Sequence, residues 1–353
     1  MIVQRRLHTQ RLIGQKFSTP AEAVAFFGAV QAQDFLPAMW ALGMRIEGAT
    51  EPTVEQAIND RQIVRTWPFR GTIHFVTPGD IRWMLALSAP RALKGNARLR
   101  ELELDEAVFA QSRKVFSRAL ADGQPQTRAT LYRTLDEAGV SMAGQRGYHI
   151  LYRHSLEGLI CIGPREGKQQ TFVLLDAWLP PGRELSREEA LAELARRYFT
   201  SHGPATIKDF IWGCGLVAAE ARAGLEMVKS QLAQEAIGGE VYWFDSAAVI
   251  MEITPSPLAH LLPFVDEYMV AYKDRDAVSL PEYNALVDSG NIIFHQPILI
   301  DGRVAGTWTR KLKKDAVVIT TNLLRLLTTA EKDALAAAAE RFGSYLGLAA
   351  VLE

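Results

Sequence analysis

"AVFAQSRKVFSRALADGQPQTRATLYRTLDEAGV", residues 107–140, followed by "GYHILYRHSLEGLICIGPREGKQQTFVLLD" at 147–176, is the stretch that decides the fold. Apolar residues recur at helical spacing through 107–120. Thr127 is placed to cap a short second helix, and Gly139 to end it. A third helix is expected over 147–159. Two apolar strands, "LICIGP" and "TFVLLD", then flank the polar turn "REGKQQ". Helix, helix, helix, hairpin is the winged-helix plan, in which one helix enters a major groove while the two-stranded wing touches backbone.

The same plan can be read on either side of this stretch. Downstream, "SREEALAELARRYFTSHG" at 186–203 opens with Ser186 and Glu189 at capping-box spacing. It leads through "PATIKDFIWGCGL" and "VAAEARAGLEMV" to the hairpin "QEAIGGEVYWFD". Upstream, Thr19, Pro20 and Glu22 mark a helix start, "PTVEQAIND" reads as a short helix, and "QIVRTWPFRGTIHFV" as a hairpin. From about residue 250 the pattern changes. "AAVIMEITP" and "IIFHQPILIDGRVAGTWTRKLKKDAVVITTNLL" alternate as small antiparallel strands do, with "DGRVAG" as a turn. An amphipathic helix capped at Thr328 or Thr329 closes the chain. The expected fold is α+β: winged helices at 1–94, 95–183 and 184–250, then a β-rich, barrel-like domain with a terminal helix at 251–353. Residues 95–106 read either as a helix or as a link.

Bulk properties narrow the function. The 353 residues are 48% hydrophobic and 22% charged, enough for several cores, and the net charge is −1. Any nucleic-acid affinity must therefore come from local clusters of basic side chains. The opening "MIVQRRLHTQRL" lacks a signal-peptide core, and no run of about 20 apolar residues is present to span a bilayer. A cytoplasmic protein without membrane contact is expected. Cys161 and Cys214 have no metal-ligand spacing and read as buried small hydrophobes.

Five segments, in this order, carry a resemblance across the whole chain: "AVQAQD" (29–34), "VRTWPFRGTIHFVTPGDIRWML" (64–85), "HGPATIKDFIWGCGL" (202–216), "LLPFVDEYMVAYKDR" (261–275) and "DGRVAGTWTR" (301–310). Together they resemble the winged-helix DNA glycosylase family of the AlkZ/YcaQ type, which includes enzymes that unhook interstrand crosslinks. The resemblance implies three tandem winged helices and a β-barrel. It also implies a catalytic signature of glutamine, an apolar residue, then glutamine or aspartate. Gln31, Ala32 and Gln33 match the two-glutamine form, associated with crosslink and N7-alkylguanine glycosylases.

The chemistry of two amides fits that assignment. Side chains at i and i+2 share one side of an extended segment but lie about 200° apart on a helix, so Gln31 and Gln33 act together only if the backbone breaks after "AEAVAFFGAV". A glutamine is no general base. Its carbonyl dipole can nonetheless position water and stabilise positive charge developing on a sugar. An N7-alkylated guanine already carries its charge and leaves readily, so positioning is the main requirement. Cleavage by water then passes through an oxocarbenium-like state. No lysine nucleophile is needed, which implies a monofunctional enzyme without lyase activity. Asp34 is either a base for the water or a cap for the following helix. The capping role is preferred, because the family pattern puts the second functional residue at 33.

Other polar clusters have two readings each. Arg65 and Arg70, beside Trp67 and Phe69, form a phosphate clamp on a wing or a solvated hairpin edge with Trp67 in the core. His74, alone on a strand, reads as a structural ring sooner than as a supporting site residue. Arg146, His149 and Arg153 line one stripe of the presumed recognition helix and are candidate DNA contacts. His149 and His154 are wrongly spaced for a metal, and neither a metal nor a cofactor is expected. Within "VDEY", Asp266 and Glu267 diverge, so at most one faces a site; the resemblance favours Asp266 in the cleft wall, against an ion pair with Arg275. Arg310, Lys311, Lys313 and Lys314 contact phosphate or form a solvated turn.

Three functions remain open at this point. The first is a monomeric DNA glycosylase acting on double-stranded DNA that carries alkylated or crosslinked bases. The second is a multi-winged-helix transcription regulator, and the third a stacked structural module. The "QAQD" interruption of an apolar run favours the first.

Overall fold

A computed structural model describes residues 2–94, 97–249, 256–288 and 296–353. The chain divides into two compact units. One holds residues 1–27, 31–55 and 191–353; the other holds 28–30 and 56–190. The chain thus changes unit immediately before Gln31.

Six short strands form one sheet: β1 (Val30–Gln31), β2 (Val64–Phe69), β3 (Thr72–Val76), β4 (Gln126–Thr127), β5 (Ile160–Ile162) and β6 (Thr171–Leu174), in the order β1-β3-β2-β5-β6-β4. The hairpin β2–β3 turns at Arg70 and Gly71, whose φ values of 54° and 69° are those of the tight turn that matches strand twist. β2 also pairs on its other side with β5, Arg65 lying opposite Ile162. It is therefore an interior strand, and all six of its residues are buried. Around this sheet, Thr127 caps the helix Arg128–Glu137 by accepting from the Thr130 N–H, and Gly139 ends it at φ 81°. The expected third helix is Arg146–Leu156. The ambiguous stretch 95–106 contains a short helix, Ala97–Glu101.

In the other unit, β7 (Leu232–Ile237) and β8 (Glu240–Asp245) make a separate hairpin across Gly238 and Gly239. A second sheet comprises β9 (Ala259–Leu261), β10 (Gln296–Ile300), β11 (Arg303–Leu312), β12 (Ala316–Leu323) and β13 (Ala349–Leu352), in the order β13-β12-β11-β10-β9, curled into a half-barrel. β13 runs parallel to β12, while the other pairs are antiparallel. The "DGRVAG" turn is Asp301–Gly302, at φ 49° and 80°, where a Cβ on Gly302 would sit 2.5 Å from Val3. Only glycine fits that approach. The terminal helix Thr329–Leu346 has its capping box at Thr328 and Glu331. Residues 246–249 form a 3-10 turn; the rest of the strand expected over 247–255 lies outside the described residues, as does 292–295.

One core cluster of this unit joins the first helix to the β-rich part: Val3, Leu7 and Leu12 pack with Leu262, Tyr268, Met269 and Leu299. Burying such side chains contributes roughly 1.5–3 kcal/mol each. Both cysteines are buried and free. Among the described residues, no helix is long and apolar enough to cross a membrane.

Candidate active site

The helix Pro20–Phe27 stops before Gly28, which takes φ 81°, and the chain enters the two-residue strand β1 at Val30. Gln31 is thus extended, and residues 32–34 are irregular before the helix Phe35–Gly43 begins. This is the backbone break that two cooperating glutamines require. Gln31 is buried, Ala32 is fully buried and Gln33 is exposed. Asp34 occupies the N-cap position of the following helix, yet its side chain accepts no cap hydrogen bond. The expected capping role is corrected to that extent: the carboxylate is exposed and acts at a distance, its charge being one of those felt by Arg310.

Of the adjacent acids, Glu267 reaches this segment. The Gln31 backbone N–H donates to Glu267 Oε1 at 2.6 Å. Glu267 Oε2 lies 3.4 Å from Nε2 of His202, and both side chains are almost fully buried. Ser201 donates its hydroxyl proton to the Arg197 carbonyl at 2.6 Å, so its Oγ is left to accept from His202 Nδ1–H at 2.8 Å. With Nδ1 turned to Ser201, Nε2 is the ring atom that faces Glu267. Tyr198 stacks on the imidazole at 4.7 Å, and Phe27 meets its edge at 5.5 Å.

Asp266, the favoured cleft residue, is instead wholly buried and paired. Arg45 donates to its two oxygens at 2.7 and 2.8 Å, and Asp266 also caps the short helix Glu267–Val270. Neither cleft exposure nor the alternative pairing with Arg275 is realised. Arg45 donates as well to Gln10 Oε1, the Gln10 carbonyl and the Ala41 carbonyl, so all five of its N–H groups are engaged. Gln10 Nε2 donates to Tyr272 Oη at 2.9 Å, and Tyr272 donates to the His202 carbonyl at 2.8 Å. Burial pushes the Tyr272 phenol up to about 12, which keeps it a neutral donor.

The candidate DNA contacts fare unevenly. Arg65 is buried on β2, and Trp67 beside it is core, because β5 covers the edge that an isolated wing would leave open. Arg65 is thereby removed from the surface. Arg70 sits half-buried on the β2–β3 turn. His74 is buried, donating from Nδ1 to the Thr72 carbonyl at 2.9 Å and edging Phe69, which is the structural reading. On the helix Arg146–Leu156, Arg146 is clamped to the backbone carbonyls of Ser141, Leu102 and Glu103. Arg153 pairs with Glu157 and Glu106 and lies over Phe109. His149 is half-buried, and burial together with Arg98 lowers its pKa. The basic stripe is largely an internal brace. What this helix exposes is Tyr148, stacked parallel on Tyr152, which in turn meets the edge of Trp67. Arg310 is half-buried with its guanidinium over Phe342, while Lys311 near the end of β11 and Lys313 on the β11–β12 turn are exposed. Among the described residues no group of acids, histidines and cysteines is arranged to hold a metal.

Sequence reasoning passed over Glu267, His202, Arg45 and Gln10, as well as the exposed Tyr148. A helix-start pattern at 266–267 was the available signal for the first: a cap turns inward to its own backbone and leaves its neighbour to reach elsewhere.

A family model described as DNA glycosylase AlkZ-like matches residues 24–345. The interstrand DNA cross-link repair glycosylase of Streptomyces sahachiroi is 24% identical over 318 residues, covering 86% of this chain and 85% of that relative. The solved structure of the DNA glycosylase AlkZ of Streptomyces sahachiroi is similar with a TM-score of 0.81 at 21% identity, over 100% of this chain and 98% of that one.

Proposed function

The chain belongs to the AlkZ-like DNA glycosylase family, and from that premise we propose that it hydrolyses the N-glycosidic bond of cationic N7-alkylated purines in double-stranded DNA, with Gln31 and Gln33 positioning the water. The observation that carries this reading is the extended, non-helical backbone at Gln31, anchored by a buried carboxylate. An amide pair cannot protonate a poor leaving group, so the substrate must bring its own positive charge. The carbonyl dipoles then face charge developing at the sugar. The relative's role in interstrand cross-link repair extends the substrate class to crosslinked purines. Three winged helices, bounded as read from sequence, would present the duplex, and the product would be an abasic site without strand cleavage.

The test is release of free base from a duplex holding a single N7-methylguanine. Single-turnover release by the intact protein is expected, slowed about 10²–10³-fold in Gln33→Ala, the scale of removing one preorganised polar group. A protein that releases no base while binding one DNA sequence tightly is not a glycosylase. Full release by both Gln31→Ala and Gln33→Ala would keep the activity and overturn the glutamine mechanism.

A further inference from the structure

A glutamine at the end of a two-residue strand, with an irregular stretch after it, needs something to hold it, since so short a strand fixes little by itself. Resting on the glutamine reading above, we propose that Glu267 is a positioning residue that sets the backbone of Gln31 by reach and not by charge, and that His202 sets Glu267 in turn.

The geometry is a closed circuit. Gln31 N–H donates to Glu267, Glu267 meets His202, and the His202 carbonyl accepts from Tyr272. Tyr272 accepts from Gln10, Gln10 accepts from Arg45, and Arg45 holds both oxygens of Asp266, the residue covalently joined to Glu267. Glu267 is thus located from both ends, through its carboxylate and through its own backbone. The side chains of Glu267, His202, Tyr272, Gln10, Arg45 and Asp266 are all engaged through their polar atoms, and these residues and Gln31 are each buried below a tenth of their surface. Buried networks with all members satisfied are rigid, because any displacement leaves a polar group without a partner. Gln31 enters the circuit through its backbone N–H. Holding a reactive group by its backbone suits a site in which misplacement by about 1 Å costs on the order of 10²-fold in rate.

Two substitutions separate reach from charge. Glu267→Asp keeps the carboxylate but withdraws it by one C–C bond, about 1.5 Å. Glu267→Gln keeps the reach and an acceptor for Gln31 N–H. Its amide N–H can donate to His202 Nε2, the ring atom opposite the one that bonds Ser201. Measured as single-turnover release of N7-methylguanine, E267D is expected to slow about 10²-fold with duplex affinity unchanged, and E267Q to recover most of that loss. Independently of catalysis, hydrogen exchange at the Gln31 amide is expected to speed up in E267D and remain slow in E267Q. Full rate in E267D, equal slowing in both variants, or unchanged Gln31 exchange in E267D overturns the proposal. If Gln31→Ala and Gln33→Ala are both fully active, the glutamine reading falls and takes this one with it. An inactive Gln33→Ala beside a fully active E267D overturns the positioning alone.

Discussion

The segment around Gln31 and the helix Arg146–Leu156 drew notice for one reason, polar side chains among apolar ones, and they end in opposite conditions. Around Gln31 the polar groups lie inside: Arg45, Gln10, Asp266 and Glu267 are buried and answer one another. On the helix, Arg146 and Arg153 sit near the surface but are committed to neighbouring carbonyls and carboxylates, and an aromatic residue, Tyr148, is left facing outward. Charge in a sequence therefore says little about what meets a ligand. What meets a ligand is what remains after internal partners are assigned, and those partners are set by the fold.

The strongest way to break the comparison is to remove one member of each ion pair. Asp266→Ala leaves Arg45 charged and buried, and the expected loss is about 3–5 kcal/mol of unfolding free energy. Arg153→Ala removes pairs with the exposed Glu106 and with Glu157, which keeps Arg113 as a partner, and should cost less, on the order of 1 kcal/mol. Urea titration of the two variants measures both. Similar losses would mean that burial does not distinguish the regions. The double variant Arg45→Met with Asp266→Leu is expected to recover much of the larger loss, because no charge is then left without a partner.

The two regions also differ in how legible they were. Turns and caps are local, and they could be read: Asp301–Gly302 and the capping boxes at Ser186 and Thr328 lie where spacing puts them. The extended backbone at Gln31 followed from the i, i+2 spacing once the two glutamines were taken to act together, as the resemblance implies. Pairings across the chain could not be read. Arg45 and Asp266 are 221 residues apart, and nothing near either one names the other. The placing of Asp266 in a cleft wall failed for that reason, since the partner that draws it inward is invisible locally. Arg65 misled in the same way. Its hairpin has the composition of a solvated wing, and only the docking of β5 against β2 makes it interior.

A second, smaller effect sharpens the comparison through pH. Burial pushes His260 in the first region's unit down to about 3, against the hydrogen bond it donates to the Leu12 carbonyl. Below its ordinary pKa of 6.5 the unfolded chain takes a proton that the folded chain refuses, so stability falls with pH from 6.5 towards 3, by roughly 1.4 kcal/mol per pH unit. Burial pushes the Glu157 carboxyl up, but hydrogen bonds from His154 and Arg153 outweigh it and hold it at about 2. Its contribution is present above 4.5 and lost as pH falls towards 2. Denaturant titrations between pH 7 and 5 should therefore show a slope that His260→Phe reduces and Glu157→Gln leaves in place. A slope insensitive to His260→Phe would assign acid sensitivity elsewhere.

The smallest expected effect bears on what the helix Arg146–Leu156 offers to DNA. Its arginines have internal partners, so replacing one should alter duplex affinity less than replacing the ring beside them. Tyr148 is 45% exposed, and its stacking partner Tyr152 is braced in turn by the edge of Trp67, which presents a supported aromatic face. Such a face gains about 1–3 kcal/mol per stacked base. A ring that packs beside the sugar-phosphate backbone of an intact duplex gains less. Tyr148→Ala is expected to weaken duplex binding about fivefold, Tyr148→Phe to leave it unchanged because the ring and not the hydroxyl carries the contact, and Arg153→Ala to stay within twofold. The salt dependence provides an internal check, since losing a phosphate contact lowers the slope of log affinity against log salt by about one and losing a stacked ring does not. If Arg153→Ala lowers that slope while Tyr148→Ala leaves affinity intact, the arginine exchanges its carboxylate partners for phosphate on binding, and the helix is a basic reader after all.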